Sequence, residues 1–173
     1  MTYGAKGLLY FCYFTPPPHN EFIRGQAIIT RDGRKTRHYR HAQMFNKEIH
    51  ALGKTLMKLT CKNVYHAKPD DDASEVLKDT PVKKIINAPE DPIPEYLVGV
   101  FKHEDGRDAF MISNYNYQYT LWPAFEFEVP VEKIAEIDKA TGEEVPVIDE
   151  NPNLDGTHIP LDAGEGRLFI VSK

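Results

Sequence analysis

Residues 7–14 read Gly7-Leu8-Leu9-Tyr10-Phe11-Cys12-Tyr13-Phe14, eight positions with no charge and no polarity beyond the hydroxyls of Tyr10 and Tyr13 and one thiol. Such a run predicts a strand covered on both faces, as in parallel sheets and barrel interiors. A strand of that kind needs neighbours on either side. The six residues before it, Met1–Lys6, are too few to supply one. The stretch therefore reads as part of something larger, and without partners of its own it is expected to pair with a sheet edge, dock on another copy or fray.

Outward from this run, Thr15 and the prolines Pro16–Pro18 make a loop that cannot continue a sheet, because proline donates no backbone hydrogen bond. Gln26–Thr30 and Arg34–Thr36 flank Arg31-Asp32-Gly33, whose Asp-Gly pair predicts a tight turn between two short strands. From Thr36 to Leu59 the apolar positions Tyr39, Ala42, Phe45, Ile49, Leu52, Leu56 and Leu59 recur every three or four residues, which is one helical stripe. Thr36 is the expected N-cap, and Gly53 marks a bend or a close contact. Cys61–His66 then reads as an extended segment.

The next stretch, 67–95, is polar and broken by prolines, with Asp70–Asp72 as a solvated charge run and only Val82–Ile86 strand-like; a linker is expected there. Beyond it the pattern becomes repetitive. Tyr96–His103 and Asp108–Ser113 flank the turn Glu104-Asp105-Gly106-Arg107 and predict a hairpin. Leu121–Val129, Ile134–Asp138, Glu143–Ile148 and Arg167–Ser172 read as further strands. Phe125, Phe127 and Val129 alternate with Glu126 and Glu128, the period of a half-buried antiparallel strand. Short strands with polar turns and no second helix point to a β-sandwich.

Composition fits a globular chain: 41% hydrophobic, 27% charged and 13 prolines over 173 residues, enough for one large domain or a domain plus a fragment. No apolar run reaches the roughly 18 residues of a membrane helix, and no secretory leader is read at Met1. Cys12 and Cys61 are too few for a disulfide framework and sit in no metal-ligand spacing. Charge divides the chain. Residues 1–66 carry 11 Lys and Arg against 3 Asp and Glu, and 67–173 carry 10 against 23, so +8 is joined to −13 for a total of −5. Nine of the 11 cations lie between Arg31 and Lys62 and alternate with the helical stripe, the pattern of a solvated helix face rather than a nucleic-acid surface.

Together, YGAKGLLYFCYFTPP, RDGRKTRHYRHAQMFNKEIHALGKTLMKL and KNVYH resemble the last strand and last helix of the (β/α)₈ barrel in glycoside hydrolases of the family 42 or β-galactosidase-like type. The helix carries the Asn-Lys-Glu-Ile-like stretch, Asn46–Ile49, and the Ala-Leu-Gly, Ala51–Gly53. Ile137-Asp138, Thr141-Gly142-Glu143 and Leu161–Phe169 resemble the closing hairpin and last strand of the β-sandwich that follows such barrels. The resemblance implies an α+β chain in three parts: 1–66 the last βα unit of a barrel, 67–95 a linker with a short strand, and 96–173 an antiparallel sandwich. It places the two catalytic glutamates on the fourth and seventh barrel strands, outside this sequence. Retaining hydrolysis needs two carboxyls about 5 to 5.5 Å apart, one protonated and one ionised, so no catalytic residue, cofactor or metal is assigned here.

By the same resemblance Phe14 falls where related barrels place a sugar-stacking aromatic, often tryptophan, with Tyr13 beside it. Glu21, in the following loop, is the acidic residue nearest the expected site. Carbohydrate, met through an intact parent enzyme, is the implied partner, with a homo-oligomer as a further possibility and neither nucleic acid nor membrane. The competing function is a free-standing carbohydrate-binding sandwich. Its residues lie in the cluster Phe110, Tyr115, Tyr117, Tyr119, Trp122, Phe125 and Phe127, where the three tyrosines share a face if the backbone is extended and Trp122 offers a flat ring. Core filling is the alternative role for these aromatics. His38, His41 and His50 complete no ligand set and read as solvated helix residues.

Overall fold

The computed structural model describes residues 1–17, 27–69, 77–86 and 94–172. Glu21, Pro18 and the Asp70–Asp72 run lie outside the described residues. The chain is α+β, with one long helix and two antiparallel sheets.

Helix α1 runs Arg37–Leu56, with Thr36 as its N-cap: the Thr36 hydroxyl accepts from the His38 N–H at 3.2 Å and donates to the carbonyl of Ala27 at 2.7 Å. Its C-terminal carbonyl, that of Leu56, takes a hydrogen bond from Lys6 Nζ, which also reaches the carbonyl of Leu59. A cation at that end satisfies orphan acceptors and opposes the helix dipole.

The strands are β1 (Leu59–Ala67), β2 (Val82–Ile86), β3 (Tyr96–His103), β4 (Asp108–Asn114), β5 (Ala124–Phe127), β6 (Ile134–Ile137), β7 (Glu144–Pro146), β8 (Thr157–His158) and β9 (Gly166–Val171). The larger sheet has the order β1-β3-β4-β9-β6-β7 and does not close; β2-β5-β8 form the smaller one. The hairpin β3–β4 turns where the sequence places it. Gly106 has φ 88°, a conformation that excludes most side chains, and Asp105 Oδ1 accepts the Arg107 N–H at 2.9 Å.

Three layers result. Tyr96, Val98, Phe110, Ile112 and Phe169 on one face of the large sheet pack against Val82, Ile85 and Phe125 of the small sheet. Phe101, Ala109, Met111, Leu168 and Ile170 on the other face pack against Leu52 and Leu56 of α1. This is why β3 and β4 are buried almost throughout although their sheet is antiparallel: alternation disappears when both faces are covered. Glu136 and Arg167 form a two-pronged ion pair between β6 and β9, with Arg167 Nε 2.7 Å from Glu136 Oε1. Gly142 fixes the approach of the β6–β7 turn to α1, since a Cβ there would lie 2.3 Å from the Ala51 carbonyl oxygen.

Several expectations need correction. Residues 7–14 are not a sheet strand and are not enclosed. They lie on the surface without regular structure, bent at Phe11 and Tyr13, with a parallel bridge from Phe14 to Ile29. The physical reason is the absence, among the described residues, of strands on either side to take its backbone groups. Elsewhere, β1 pairs with β3 from Leu59 to Ala67, and Val82–Ile86 belongs to the second sheet. The strand expected over 121–129 is confined to Ala124–Phe127. The tyrosines at 115, 117 and 119 do not lie on a strand, because β4 ends at Asn114 and the chain turns.

Candidate functional site

The N-terminal residues are tied down first. Thr2 is buried, with its hydroxyl 2.6 Å from that of Ser113, and its carbonyl oxygen occupies the space a side chain at Gly99 would need, 2.4 Å from where that Cβ would stand. From Lys6, at the C-terminal end of α1, the ribbon 7–14 travels back along the helix. The Tyr10 hydroxyl donates to Asn46 Oδ1 at 2.9 Å midway. At the far end the Tyr13 carbonyl accepts from Ile29 N–H at 2.9 Å, and Thr15 N–H donates to the Ile29 carbonyl at 2.8 Å. Ribbon and helix are therefore antiparallel, joined through the short hairpin in which Ile29 pairs with Lys35.

The ribbon has one covered side at most. Leu9 is 97% exposed and Phe11 86%, and Leu8, Tyr13 and Phe14 are more than half exposed. The helix beneath is equally unfinished. Its stripe is buried at Leu52 and Leu56, where the sheet covers it, but Met44 and Phe45 further up are exposed. Only Ile28, Ile29 and Ala42, with Tyr39, make a small cluster at the helix start. Between ribbon and helix lie two open clefts, one of 350 Å³ bordered by Phe11, His38, His41 and Phe45 and one of 280 Å³ bordered by Tyr13, Tyr39, Gln43 and Asn46.

Of the residues expected to contact sugar, Tyr13 and Phe14 stand together at the end of the ribbon, their rings edge-to-face at 5.0 Å. Trp122 is carried by the loop entering β5, in the small-sheet layer, and shares no described contact or cleft with them. The aromatic cluster divides: Phe110 and Phe125 fill the core, whereas Tyr115, Tyr117, Tyr119 and Trp122 are exposed. Sequence reasoning missed the cleft of 570 Å³ between α1 and the 162–166 turn, walled by Phe45, Ile49 and Met111 with Glu48, Lys139 and Asp162 among its polar residues. Its residues come from five separate segments, and no local pattern announces it.

Among the described residues, the carboxyl groups whose titration is displaced are Asp32, Asp105, Asp138 and Asp149, and all are held below the usual carboxylate range. The Thr30 hydroxyl does this at Asp32, the Arg107 backbone N–H at Asp105 and the Thr141 hydroxyl at Asp138. At Asp149 burial pushes upward, but the N–H groups of Asn151 and His158 outweigh it. These are turn carboxylates stabilised in the ionised form, the opposite of a proton-donating catalytic acid. His38 and His41 are neighbours, ring centres 6.1 Å apart, but no group of three or more His, Cys, Asp or Glu among the described residues is placed to hold a metal ion. Nor is any described helix long and apolar enough to cross a membrane.

Comparison of the chain with protein-family models, with curated proteins and with solved structures finds no match in any of the three.

Proposed function

We propose that this chain is the C-terminal portion of a carbohydrate-active enzyme of the glycoside hydrolase type, in which ribbon 7–14 and α1 are the last βα unit of a (β/α)₈ barrel and the two sheets brace that barrel. The observation that carries this reading is the antiparallel course of the ribbon along α1, with its outward side chains and, on the helix, Met44 and Phe45 exposed. A barrel strand lies antiparallel to the helix that follows it and is flanked by parallel strands on either side. Those neighbours would cover the exposed residues Leu9 and Phe11. Tyr13 and Phe14, at the C-terminal end of the ribbon, then stand at the barrel rim where substrates bind.

On this reading the chain contributes packing and aromatic surface, and the catalytic carboxyl pair belongs to the parent. The purified 173-residue chain is therefore expected to release no nitrophenol from 4-nitrophenyl galactosides beyond the buffer rate. Turnover by the chain alone rejects the proposal, because it requires a carboxyl pair within these residues.

A further inference from the structure

Four large aromatic side chains stand in water on one short loop, and the loop is held too firmly for their exposure to be a matter of loose chain. Asn114, at the end of β4, is buried, and its Nδ2 donates to the carbonyls of Tyr119 at 2.8 Å, Asp162 at 3.1 Å and Leu161 at 3.3 Å. Its Oδ1 accepts the Asn116 N–H at 2.9 Å, and Asn116 Oδ1 accepts the Gln118 N–H at 2.7 Å, two side-chain-closed turns in succession. The Asn116 carbonyl accepts from Gly164 N–H at 2.7 Å, and Leu121 exchanges both backbone bonds with Leu161. The loop is pinned at its start, middle and end.

On this frame Tyr117 is 84% exposed, Trp122 61%, Tyr115 57% and Tyr119 53%. Aromatic burial is among the largest single contributions a side chain makes to stability, and Phe110 and Phe125, just outside the loop, make it in full. A backbone fixed with its rings outward forgoes that contribution four times within eight residues. Preordered rings that bind without further loss of conformational freedom are what a recognition surface requires.

We propose that the 115–122 loop is a binding surface for a neutral carbohydrate chain, with pyranose C–H faces laid on the rings. The phenol hydroxyls and the exposed amide of Gln118 hydrogen-bond the sugar hydroxyls. The charged groups beside the loop are largely paired with one another, Glu95 with both His66 and Lys68, which leaves no net basic surface. Asp162 receives the Thr120 hydroxyl at 3.1 Å, Glu165 is paired with Lys139, and Glu95 is paired with His66, whose ring meets Tyr115 at 4.9 Å. A polyanion that stacked bases on these rings would meet carboxylates rather than a basic groove. The 162–166 turn that Thr120 touches also walls the 570 Å³ cleft, so a longer chain has a concave surface to continue along. None of this requires the barrel, and the proposal stands or falls independently of it.

Trp122 is the sole tryptophan, so its emission reports the loop directly. The 173-residue chain is titrated with cellohexaose, xylohexaose, mannohexaose and a galactan hexasaccharide, with heparin alongside. The expected result is a saturable change in Trp122 emission with at least one hexasaccharide and none with heparin. By calorimetry, Tyr117→Ala and Trp122→Ala each weaken that binding about tenfold or more, while Leu9→Ser, on the ribbon, leaves it unchanged. Circular dichroism verifies folding, and Tyr117→Ala decides alone if Trp122→Ala does not fold. No response to any hexasaccharide, a response to heparin alone, or binding that survives Tyr117→Ala overturns the proposal.

Discussion

β3 and ribbon 7–14 are both eight-residue runs dominated by apolar side chains, yet one is the driest part of the molecule and the other among the wettest. Tyr96, Val98 and Phe101 of β3 are at most 1% exposed, whereas Leu9 and Phe11 stand almost fully in water. The difference lies in what flanks them. β3 is hydrogen-bonded on both edges, to β1 and β4, and covered above and below by α1 and the small sheet. The ribbon has α1 along one side, one bridge at its end, and no described strand along its length. Uniform apolarity states how many covers a segment needs; the layers within reach decide how many it receives.

Mutations that remove the same kind of atoms from the two regions should separate them. Phe169→Ala empties a site stacked against Phe110 in the centre of the sandwich, and should cost about 3–5 kcal/mol in urea or thermal unfolding. Replacing Leu9 by Ser should change stability by less than about 0.5 kcal/mol and, in sedimentation velocity, reduce any self-association of the chain, since its exposed surface is an adhesive one. A loss comparable to Phe169→Ala would mean that the ribbon is buried after all.

The helix carries the same contrast within one element. Leu56→Ala, in the sheet-facing half, should destabilise by about 2–4 kcal/mol, and Phe45→Ala, eleven residues earlier on the stripe, by well under 1 kcal/mol. Equal losses at the two positions would erase the distinction between a covered and an uncovered half.

The smallest expected effect is electrostatic and belongs to the sheet turns. Asp105 and Asp138 are stabilised as carboxylates in the folded chain, so their folded pKa lies below the unfolded value of about 4. Their contribution is present above that value and is lost as pH falls through the folded pKa. The melting temperature should decline below about pH 4, and Asp138→Asn should make the decline shallower. An unchanged slope in Asp138→Asn would remove that carboxylate from the account.

Much of the fold is legible in the sequence where periodicity runs long enough. The stripe from Tyr39 to Leu56 gives α1, Thr36 its cap, and Asp105-Gly106 the β3–β4 hairpin. Thr157–His158 is invisible because two residues carry no period; only their pairing with Ala124 and Phe125 makes them a strand. The tyrosines at 115, 117 and 119 alternate like a strand, but the side chains of Asn114 and Asn116 close turns that end it. Tyr13, Phe14 and Trp122 are all exposed. Their separation between the ribbon and the small-sheet layer follows from packing and leaves no mark on the chain. Nothing in composition distinguishes the exposed Tyr117 and Trp122 from the buried Phe110 and Phe125.

On the proposed reading, the ribbon and the exposed part of α1 at Met44 and Phe45 belong against a barrel. Antibody raised to the 173-residue chain, used to isolate every species bearing its epitopes from the cells that make it, allows the mass of that species to be read under native conditions. The account predicts a polypeptide or tight complex larger by on the order of 200 residues, the bulk of a (β/α)₈ barrel. A species of 173 residues, unassociated and with Leu9 and Phe11 in water, would contradict it.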